Sequence, residues 1–437
     1  MLLRSFESFE KTENGYLIHG DAADVKLIFM TDDIIRVRVH FDKGTPMEEE
    51  SYTLVTTAWP DRMDDLLKDE RTRITALDVP CTEDEKCLTF ETAHVTLKLF
   101  KKPFHFEMYD KEGKLLYQDL RERAFEKDQI GRLTHFSKVD REYDHFFGFG
   151  EKTGHLDKKG RRLRMSPKDA IGHDPETGDP MYKHIPFYIR VNEKDRRPIG
   201  LFYHNSYDCV FDLGEELSGY WERYCYYQTD GGDIDLFLLA GPTLPDILNE
   251  YTLLTGRSAL PTKQSLGYCA STMYYAELEK NCDEEIYKVI DKHEKEGILI
   301  DNFWLASGYS SGEEDNLRYV FNWNHKRFPD PKKFFENMNA RGINVIPNLK
   351  PGILKRHPYI DLFEKNDVFI KTPGGAARAA SSTSPVPRAA IPGSSCWRRT
   401  SSRWAPRPSG TTTARWTAWK TVTPSAISRA RRAPWPS

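Results

Sequence analysis

Residues 298–307 read ILIDNFWLAS, and the pattern on either side of this stretch decides the fold of the second half of the chain. Two similar runs, LGYCAST at 266–272 and INVIPNL at 343–349, precede and follow it. Short runs with few polar breaks are typical of strands buried on both faces. Longer segments with helical periodicity separate the three runs, so the order predicts β-α-β-α-β and a parallel sheet, open or closed.

Helix signals mark both intervening segments. In the first, Asp283 is a candidate N-cap and Gly297 is placed to end the helix. In the second, Asp330 is a candidate N-cap before an apolar stripe. The stripe consists of Phe334, Phe335 and Met338. Three strands cannot close an eight-stranded barrel, which takes about 200 residues or more, so we expect only the first part of such a barrel.

The first half of the chain predicts strands instead. In DIIRVRVHF, Ile35, Val37 and Val39 alternate with Arg36 and Arg38, which predicts one face in a core and the other in water. Runs such as HVTLKLF and FHFEMYD repeat this period of two, and turn signals separate them. The pattern predicts a large β-sandwich.

The composition changes abruptly after residue 373. Residues 374–437 contain ten Arg and one Lys but no Asp, Glu, Asn, Gln, His, Leu, Met, Phe or Tyr. The first 373 residues hold 52 basic and 66 acidic residues, a formal charge of −14 that suits nucleic acid poorly. The predicted parts are a β-sandwich over 1–240, a connecting segment over 241–262, an incomplete barrel over 263–373 and an aberrant, disordered basic tail over 374–437.

Cysteine usage and the amino terminus bear on the compartment. The seven cysteines show no CxxC pair or metal-finger spacing, which favours buried free thiols in a reducing compartment. The amino-terminal sequence, MLLRSFESFEKTENG, has charged residues too close to its start to contain the apolar region of a signal peptide. The sequence has no run of about 18 apolar residues, so no membrane span is predicted. We therefore expect a cytoplasmic protein that binds neither nucleic acid nor membrane.

Two polar segments stand out within the predicted sandwich. GFGEKTGHLDKKG, residues 148–160, matches neither the dinucleotide fingerprint nor a P-loop, and a tight glycine loop between strands accounts for it on physical grounds. Residues 164–187 form a long polar loop with Asp169, Asp174 and Asp179. Long ordered loops often carry function, and a merely solvated loop is the alternative.

Further candidates follow the predicted barrel strands. Residues 306–309 come directly after the second strand and residues 348–350 after the third, and barrels of this type place their sites at these carboxyl ends. Flat aromatic faces suit sugars, although most aromatic residues in any core are only core. The nearby aromatic residues are Tyr274, Tyr275, Trp304, Tyr309, Tyr319 and Trp323.

In this order, the motifs resemble glycoside hydrolase family 31, the family of α-glucosidases and their relatives. The resemblance covers residues 1–373 and rests on PFHFEMYDKEGKLLYQDL, GFGEKTGHLDKKG, DPMYKHIPFYI, LGYCASTMYY and YVFNWNHKRFPDPKKFFENMNARGINVIPNLKPGI. It implies a galactose-mutarotase-like β-sandwich followed by a (β/α)8 TIM barrel. It also implies retaining hydrolysis of an oligosaccharide or α-glucoside by two aspartates, with no metal and no organic cofactor. The oligomeric state is not indicated.

Three residues are predicted to bind substrate. Asp169 matches the family's aspartate that reaches from the sandwich over the barrel, and Tyr274 and Ser307 follow the first two barrel strands. Both catalytic aspartates of the family lie beyond the third strand, the nucleophile in a motif like WNDxxE, and this chain shows neither. Many members have WLDID where this chain has WLASG, so Ala306 cannot hold sugar hydroxyls as the family's first aspartate does. Glucose specificity is therefore left open.

The main prediction is an α-glucosidase, with α-xylosidase and α-glucosyltransferase activity of the same family as alternatives. A non-catalytic sugar-binding sandwich and a non-functional truncated product are alternatives from other classes. Glycan binding without turnover would favour the sandwich, and insolubility would favour the truncated product.

A shifted reading frame explains the tail. In the shifted frame, each codon consists of the third base of one residue's codon and the first two bases of the next. Trp416-Thr417 must then give GAC, an aspartate, and Trp419-Lys420 must give GAA, a glutamate. The whole of SGTTTARWTAWKTVTP can then read WNDNCEMDGVEDRDA, which contains the family's nucleophile motif. We expect a frameshift near Gly374, in the gene or in its sequencing; a genuine basic disordered tail is the alternative.

Re-reading the DNA across codons 370–440 tests this prediction. We expect the shifted frame to encode WNDN at the position of residues 409–413, because free third bases permit it and the two tryptophan codons force the acidic residues after it. A shifted frame without WNDN would contradict the frameshift.

Overall fold

The computed structural model describes residues 1–47, 49–65, 71–168, 170, 172–349 and 352–366, together with the backbone of 370–371 and 377–378. The chain forms two compact units, the first from Met1 to Arg257 and the second beginning at Ser258. Within the described ranges, no helix has the length and apolar character needed to cross a membrane.

The first unit is built mainly of strands. These are β1 (Phe6–Thr12), β2 (Gly15–Gly20), β3 (Asp24–Phe29), β4 (Ile34–His40), β5 (Thr56–Thr57), β6 (Thr72–Arg73), β7 (Cys81–Glu83), β8 (Cys87–Glu91), β9 (Val95–Lys101), β10 (Phe104–Asp110), β11 (Leu115–Gln118), β12 (Phe125–Lys127), β13 (Leu133–Lys138), β14 (Asp144–Gly148), β15 (Arg162–Met165), β16 (Phe187–Asn192), β17 (Pro198–Tyr203), β18 (Cys209–Asp212), β19 (Tyr224–Thr229) and β20 (Ile234–Leu239).

These strands form one large antiparallel sheet, two smaller antiparallel ones and a two-stranded parallel sheet of β5 and β6. The eight-stranded sheet has the order β1-β2-β3-β4-β20-β17-β16-β14. The five-stranded sheets have the orders β11-β10-β9-β8-β7 and β12-β13-β19-β18-β15. One core holds buried apolar side chains from the eight-stranded and both five-stranded sheets, including Val37 of β4, Phe106 of β10 and Tyr227 of β19. The predicted β-sandwich is therefore confirmed.

The second face of β4 is not in water, so that part of the prediction is wrong. Arg36 is only 1% exposed, and its guanidinium group donates to both carboxylate oxygens of Asp235 on β20, at 2.7 and 2.9 Å. Glu49 lies 2.9 Å from the same group, and the indole ring of Trp59 covers it at 3.9 Å. The segment that follows β4 therefore folds back over this face and replaces water.

A helix, α1 (Leu244–Thr255), covers another part of the same face. Thr243 caps its first turn in a capping box with Asp246. Ile247 is buried against the sheet, and the ring of Tyr251 stacks on Phe187 of β16 with centroids 3.9 Å apart. The predicted connecting segment 241–262 thus contains a helix that packs on the sandwich.

The second unit has the predicted β-α-β-α-β order. Its elements are β21 (Cys269–Thr272), α2 (Cys282–Lys295), β22 (Asn302–Leu305), α3 (Pro331–Ala340), β23 (Asn344–Pro347), α4 (Ile360–Lys365), β24 (Ile370–Lys371) and β25 (Ala377–Arg378). The first three strands are parallel neighbours in the order β21-β22-β23. Phe303 of β22 packs with Ile286 of α2 and Phe334 of α3 in one core. This unit is the start of a (β/α)8 barrel.

The two predicted helix caps have different outcomes. Asp330 caps α3, and its carboxylate accepts a hydrogen bond from the backbone N–H of Lys333 at 3.0 Å. Asp283 does not cap α2, which begins at Cys282. The backbone carbonyl of Arg327 accepts a hydrogen bond from the N–H of Cys282 at 2.7 Å. A distant segment therefore satisfies an N–H group at the start of the helix that a capping side chain would otherwise bind. Burial instead raises the pKa of Asp283.

The predicted tail, 374–437, lies outside the described residues except for the backbone of 377 and 378, and its disorder stays a prediction. The six cysteines in the described ranges are all unpaired. Four of them are buried as predicted, whereas Cys269 is exposed at the start of β21 and Cys81 is half-buried.

We expect Asp235→Asn to destabilise the first unit by about 3–5 kcal/mol, the usual cost of breaking a buried ion pair by removing one partner. Burial would raise the pKa of Asp235, but Arg36 outweighs it and holds that pKa well below its usual range. Urea unfolding of the 437-residue chain measures the change. Lys114→Met, at the half-exposed Lys114–Asp195 pair, is the control and should cost less than about 1 kcal/mol. Equal effects of both variants would contradict the prediction.

Candidate substrate site at the strand ends of the second unit

The carboxyl ends of β21, β22 and β23 meet at one edge of the parallel sheet. Thr272, Leu305 and Pro347 end these strands, and Thr272 and Leu305 are register partners, as are Leu305 and Pro347. The residues that follow them therefore lie close together. A 3-10 turn follows each of the first two strands, Tyr274–Ala276 and Ser307–Ser310.

Ser307 lies at this edge but is only 7% exposed. Its Oγ accepts a hydrogen bond from Nε of Arg318 at 3.1 Å. The same guanidinium group pairs with Glu277, which follows the first strand. Both charged side chains are about 30% exposed, so solvent or a ligand can reach them while Ser307 is largely enclosed. The structure brings these three groups together.

Tyr274 is well placed to contact a ligand, because its side chain is 67% exposed. Its ring packs edge-on against Tyr275 with centroids 5.1 Å apart. The two 3-10 turns touch at Gly308, where a Cβ atom would lie 2.3 Å from the carbonyl oxygen of Ala276. Only glycine therefore allows the turn that holds Ser307 to approach the turn that holds Tyr274.

The other predicted aromatic candidates divide into core and surface. Tyr309 is 4% exposed, its ring contacts Trp323, and its hydroxyl donates to the carbonyl of Asn348 at 3.1 Å. Burial raises the pKa of Tyr309. Tyr319 is also buried, whereas Trp304 of β22 is 47% exposed. Of the six aromatic candidates, only Tyr274 and Trp304 are exposed, whereas Tyr275 and Trp323 are half-buried.

Arg327 is a residue at this edge that the sequence pattern did not single out. It is 8% exposed and donates to the carbonyls of Leu278 and Gly308, at 2.8 and 2.9 Å, and to Oγ of Ser311 at 2.7 Å. No carboxylate of the described residues pairs with it. The side chain therefore joins the loops after β21 and β22 through neutral acceptors. An arginine directly before a helix-capping FPDP sequence gives no periodic signal for this role.

The long loop of the first unit supplies the remaining candidates. Asp174 closes its own turn by accepting the N–H groups of Thr177 and Glu176, which lower its pKa. Asp179 pairs with Lys152 at 2.5 Å. Asp169 lies outside the described residues, so its predicted contact with substrate stays a prediction, as do those of Tyr274 and Ser307. Among the described residues, no cluster of three metal-ligating side chains occurs.

Each of the two units matches a domain of a known protein family. Residues 24–212 match the glycosyl hydrolase 31 N-terminal galactose mutarotase-like domain. Residues 258–404 match the glycosyl hydrolases family 31 TIM-barrel domain, a range that extends past residue 374.

Curated relatives agree with these matches. Alpha-glucosidase 2 of Bacillus thermoamyloliquefaciens is 32% identical over 370 residues, which cover 84% of this chain and 42% of that protein. Alpha-glucosidase of Saccharolobus solfataricus is 30% identical over 210 residues, 48% of this chain and 28% of that protein. Alpha-xylosidase XylQ of Lactiplantibacillus pentosus is 29% identical over 213 residues, 48% of this chain and 25% of that protein.

A solved structure shares the fold. The Flavobacterium johnsoniae GH31 dextranase superposes with a TM-score of 0.69 at 20% identity, covering 87% of this chain and 44% of that one. The chain thus spans less than half the length of each of these four relatives. Both matched domains are parts of one family. The chain belongs to glycoside hydrolase family 31.

Proposed function

We propose that this chain is the amino-terminal part of a retaining α-glycosidase that acts on α-linked glucosides. The observation that carries the proposal is the continuous similarity to alpha-glucosidase 2, which extends across both units. The similarity to alpha-xylosidase XylQ covers about half of the chain. The strand-end edge adds chemical support, because it presents an accessible ring at Tyr274 beside the Glu277–Arg318 pair.

The proposed reaction needs two carboxylates about 5–5.5 Å apart. One attacks the anomeric carbon, and the other protonates the leaving oxygen and then activates water. We expect the nucleophile in the WNDNCEMD sequence that the shifted frame can encode. The 437-residue polypeptide lacks that sequence, so we propose that it has no turnover. The substrate is an oligosaccharide or a simple α-glucoside, and the protein works in the cytoplasm.

A second candidate is an α-xylosidase of the same family. The observation that favours it is Ala306, the first residue after β22, which offers no carboxylate to sugar hydroxyls. Xylose lacks the exocyclic hydroxymethyl group of glucose, so fewer hydroxyls need partners. α-Glucosyl transfer remains a variant of the main proposal, since the same covalent intermediate can pass to a sugar instead of water.

Turnover tests the main proposal. The chain with its frame restored near codon 374 should release the aryl group from a 4-nitrophenyl α-glucoside with retention at the anomeric carbon, seen by NMR. The α-xyloside should react more slowly. Changing the first aspartate of WNDNCEMD to asparagine should abolish turnover with the fold intact by circular dichroism. Hydrolysis by the purified 437-residue chain, or none by the restored chain, would contradict the proposal.

Tyr274 gives a second, independent test. In the restored chain, Tyr274→Ala should raise KM about tenfold, equivalent to ~1.4 kcal/mol, because the exposed ring no longer packs on the sugar. The value of kcat should change little, which marks binding that is equal in ground and transition states. Tyr274→Phe keeps the ring and is the control. An unchanged KM in Tyr274→Ala would remove Tyr274 from the substrate site.

A further inference from the structure

Two consecutive connections of the first unit lie against each other. The glycine loop, residues 149–161, joins β14 to β15, and the long loop, residues 166–186, joins β15 to β16. The start of the glycine loop lies beside the end of the long loop, because Gly148 at the end of β14 pairs with Tyr188 near the start of β16. The glycine loop begins with FGEKTG, residues 149–154, to which the proposed function gives no role.

A buried lysine joins the two loops. The side chain of Lys152 is 1% exposed, and its ammonium group lies 2.5 Å from Oδ1 of Asp179 in the long loop. It also donates to the carbonyl of Arg164, while Oδ2 of Asp179 accepts the N–H of the same residue at 2.5 Å. Lys152, Arg164 and Asp179 thus form a closed ring of hydrogen bonds in which both charges are compensated.

Neighbouring residues of the glycine loop bind the backbone of the long loop. Oγ1 of Thr153 donates to the carbonyl of Gly178 at 2.7 Å, and the N–H of Gly154 donates to that of Pro175 at 3.1 Å. A guanidinium nitrogen of Arg161 donates to the carbonyl of Glu176 at 3.0 Å. Three carbonyls between 175 and 178 therefore have partners in the glycine loop.

The glycine in the middle of this contact is required by space and by backbone conformation. Gly154 has a φ of 79°, and a Cβ there would lie 2.8 Å from the carbonyl oxygen of Glu176 and still closer to the side chain of Arg161. The spacing of GEKTG thus places an ion-pairing lysine, a hydroxyl donor and a close backbone contact in succession.

A second ion pair links the same loops, but it is exposed to solvent. Nζ of Lys183 lies 2.8 Å from Oε1 of Glu151, and both side chains are more than half exposed. Exposed pairs contribute little, whereas removing one partner of a buried pair leaves an uncompensated charge. The two lysines therefore form a matched comparison within one interface.

We propose that the glycine loop is a clamp that holds residues 175–183 of the long loop in one conformation, with Lys152 as its positioning residue. The effect on substrate rests on the proposed function, because the long loop is the part of the sandwich predicted to reach the sugar. Lys152 acts through that loop.

Limited proteolysis of the 437-residue chain tests the clamp without any assay of activity. Glutamyl endopeptidase should cut after Glu176 at least tenfold faster in Lys152→Met than in the wild type, because cleavage follows the population of the open loop. Lys183→Met should stay within twofold. Thr153→Val, which removes one hydrogen bond and no charge, should give an intermediate rate. Mass spectrometry identifies the site, and equal rates in all four proteins would overturn the clamp.

Kinetics of the restored chain separates positioning from mere stability. Lys152→Met should raise KM at least tenfold with kcat within twofold, and Lys183→Met should change neither. Lys152→Arg, which keeps the charge, should recover part of the loss. If KM is unchanged while cleavage after Glu176 rises, the role in substrate binding is wrong. If the restored wild type shows no turnover, the proposed function fails and the proteolysis alone decides the clamp.

Discussion

A guanidinium group buried at the centre of the largest sheet is the constraint on which the first unit depends. Removing a charge from water costs several kcal/mol unless compensating partners surround it. Arg36 of β4 finds its carboxylate on Asp235, 199 positions away on β20. The pair therefore holds the first four strands beside the last one. It also fixes the cover over that face, since Glu49 and Trp59 contact the same guanidinium group.

Strand and helix patterns made most of the fold predictable, and the errors have physical causes. Alternation in β4 identified two faces correctly, but it could not say what covers the second one. The second face of β4 is covered by an irregular segment that includes Glu49 and Trp59. This segment has no periodic pattern from which its position could be predicted. Asp283 satisfied the local rule for a cap. In the structure, however, the backbone carbonyl of Arg327 accepts the hydrogen bond from the first N–H group of the helix. In both cases a distant segment overrode a local signal.

The candidate site was predictable to the level of strand ends. Parallel order alone places Tyr274 and Ser307 at one edge, because both follow carboxyl ends of neighbouring strands. The charged groups around them were not predictable, since Glu277, Arg318 and Arg327 come from irregular loops. The buried ion pair of Lys152 could not be predicted for the same reason, although the glycines around it indicated a loop of unusual backbone geometry.

The pairing of β4 with β20 also determines when the sandwich can form during synthesis. Contacts between distant parts of a chain form slowly, because a long loop must close first. The central pair of the eight-stranded sheet cannot assemble until residue 239 has left the ribosome. Every strand of the first unit is nonetheless complete before residue 258. The predicted change of reading frame near residue 374 would therefore leave the nascent sandwich with all of its own strands.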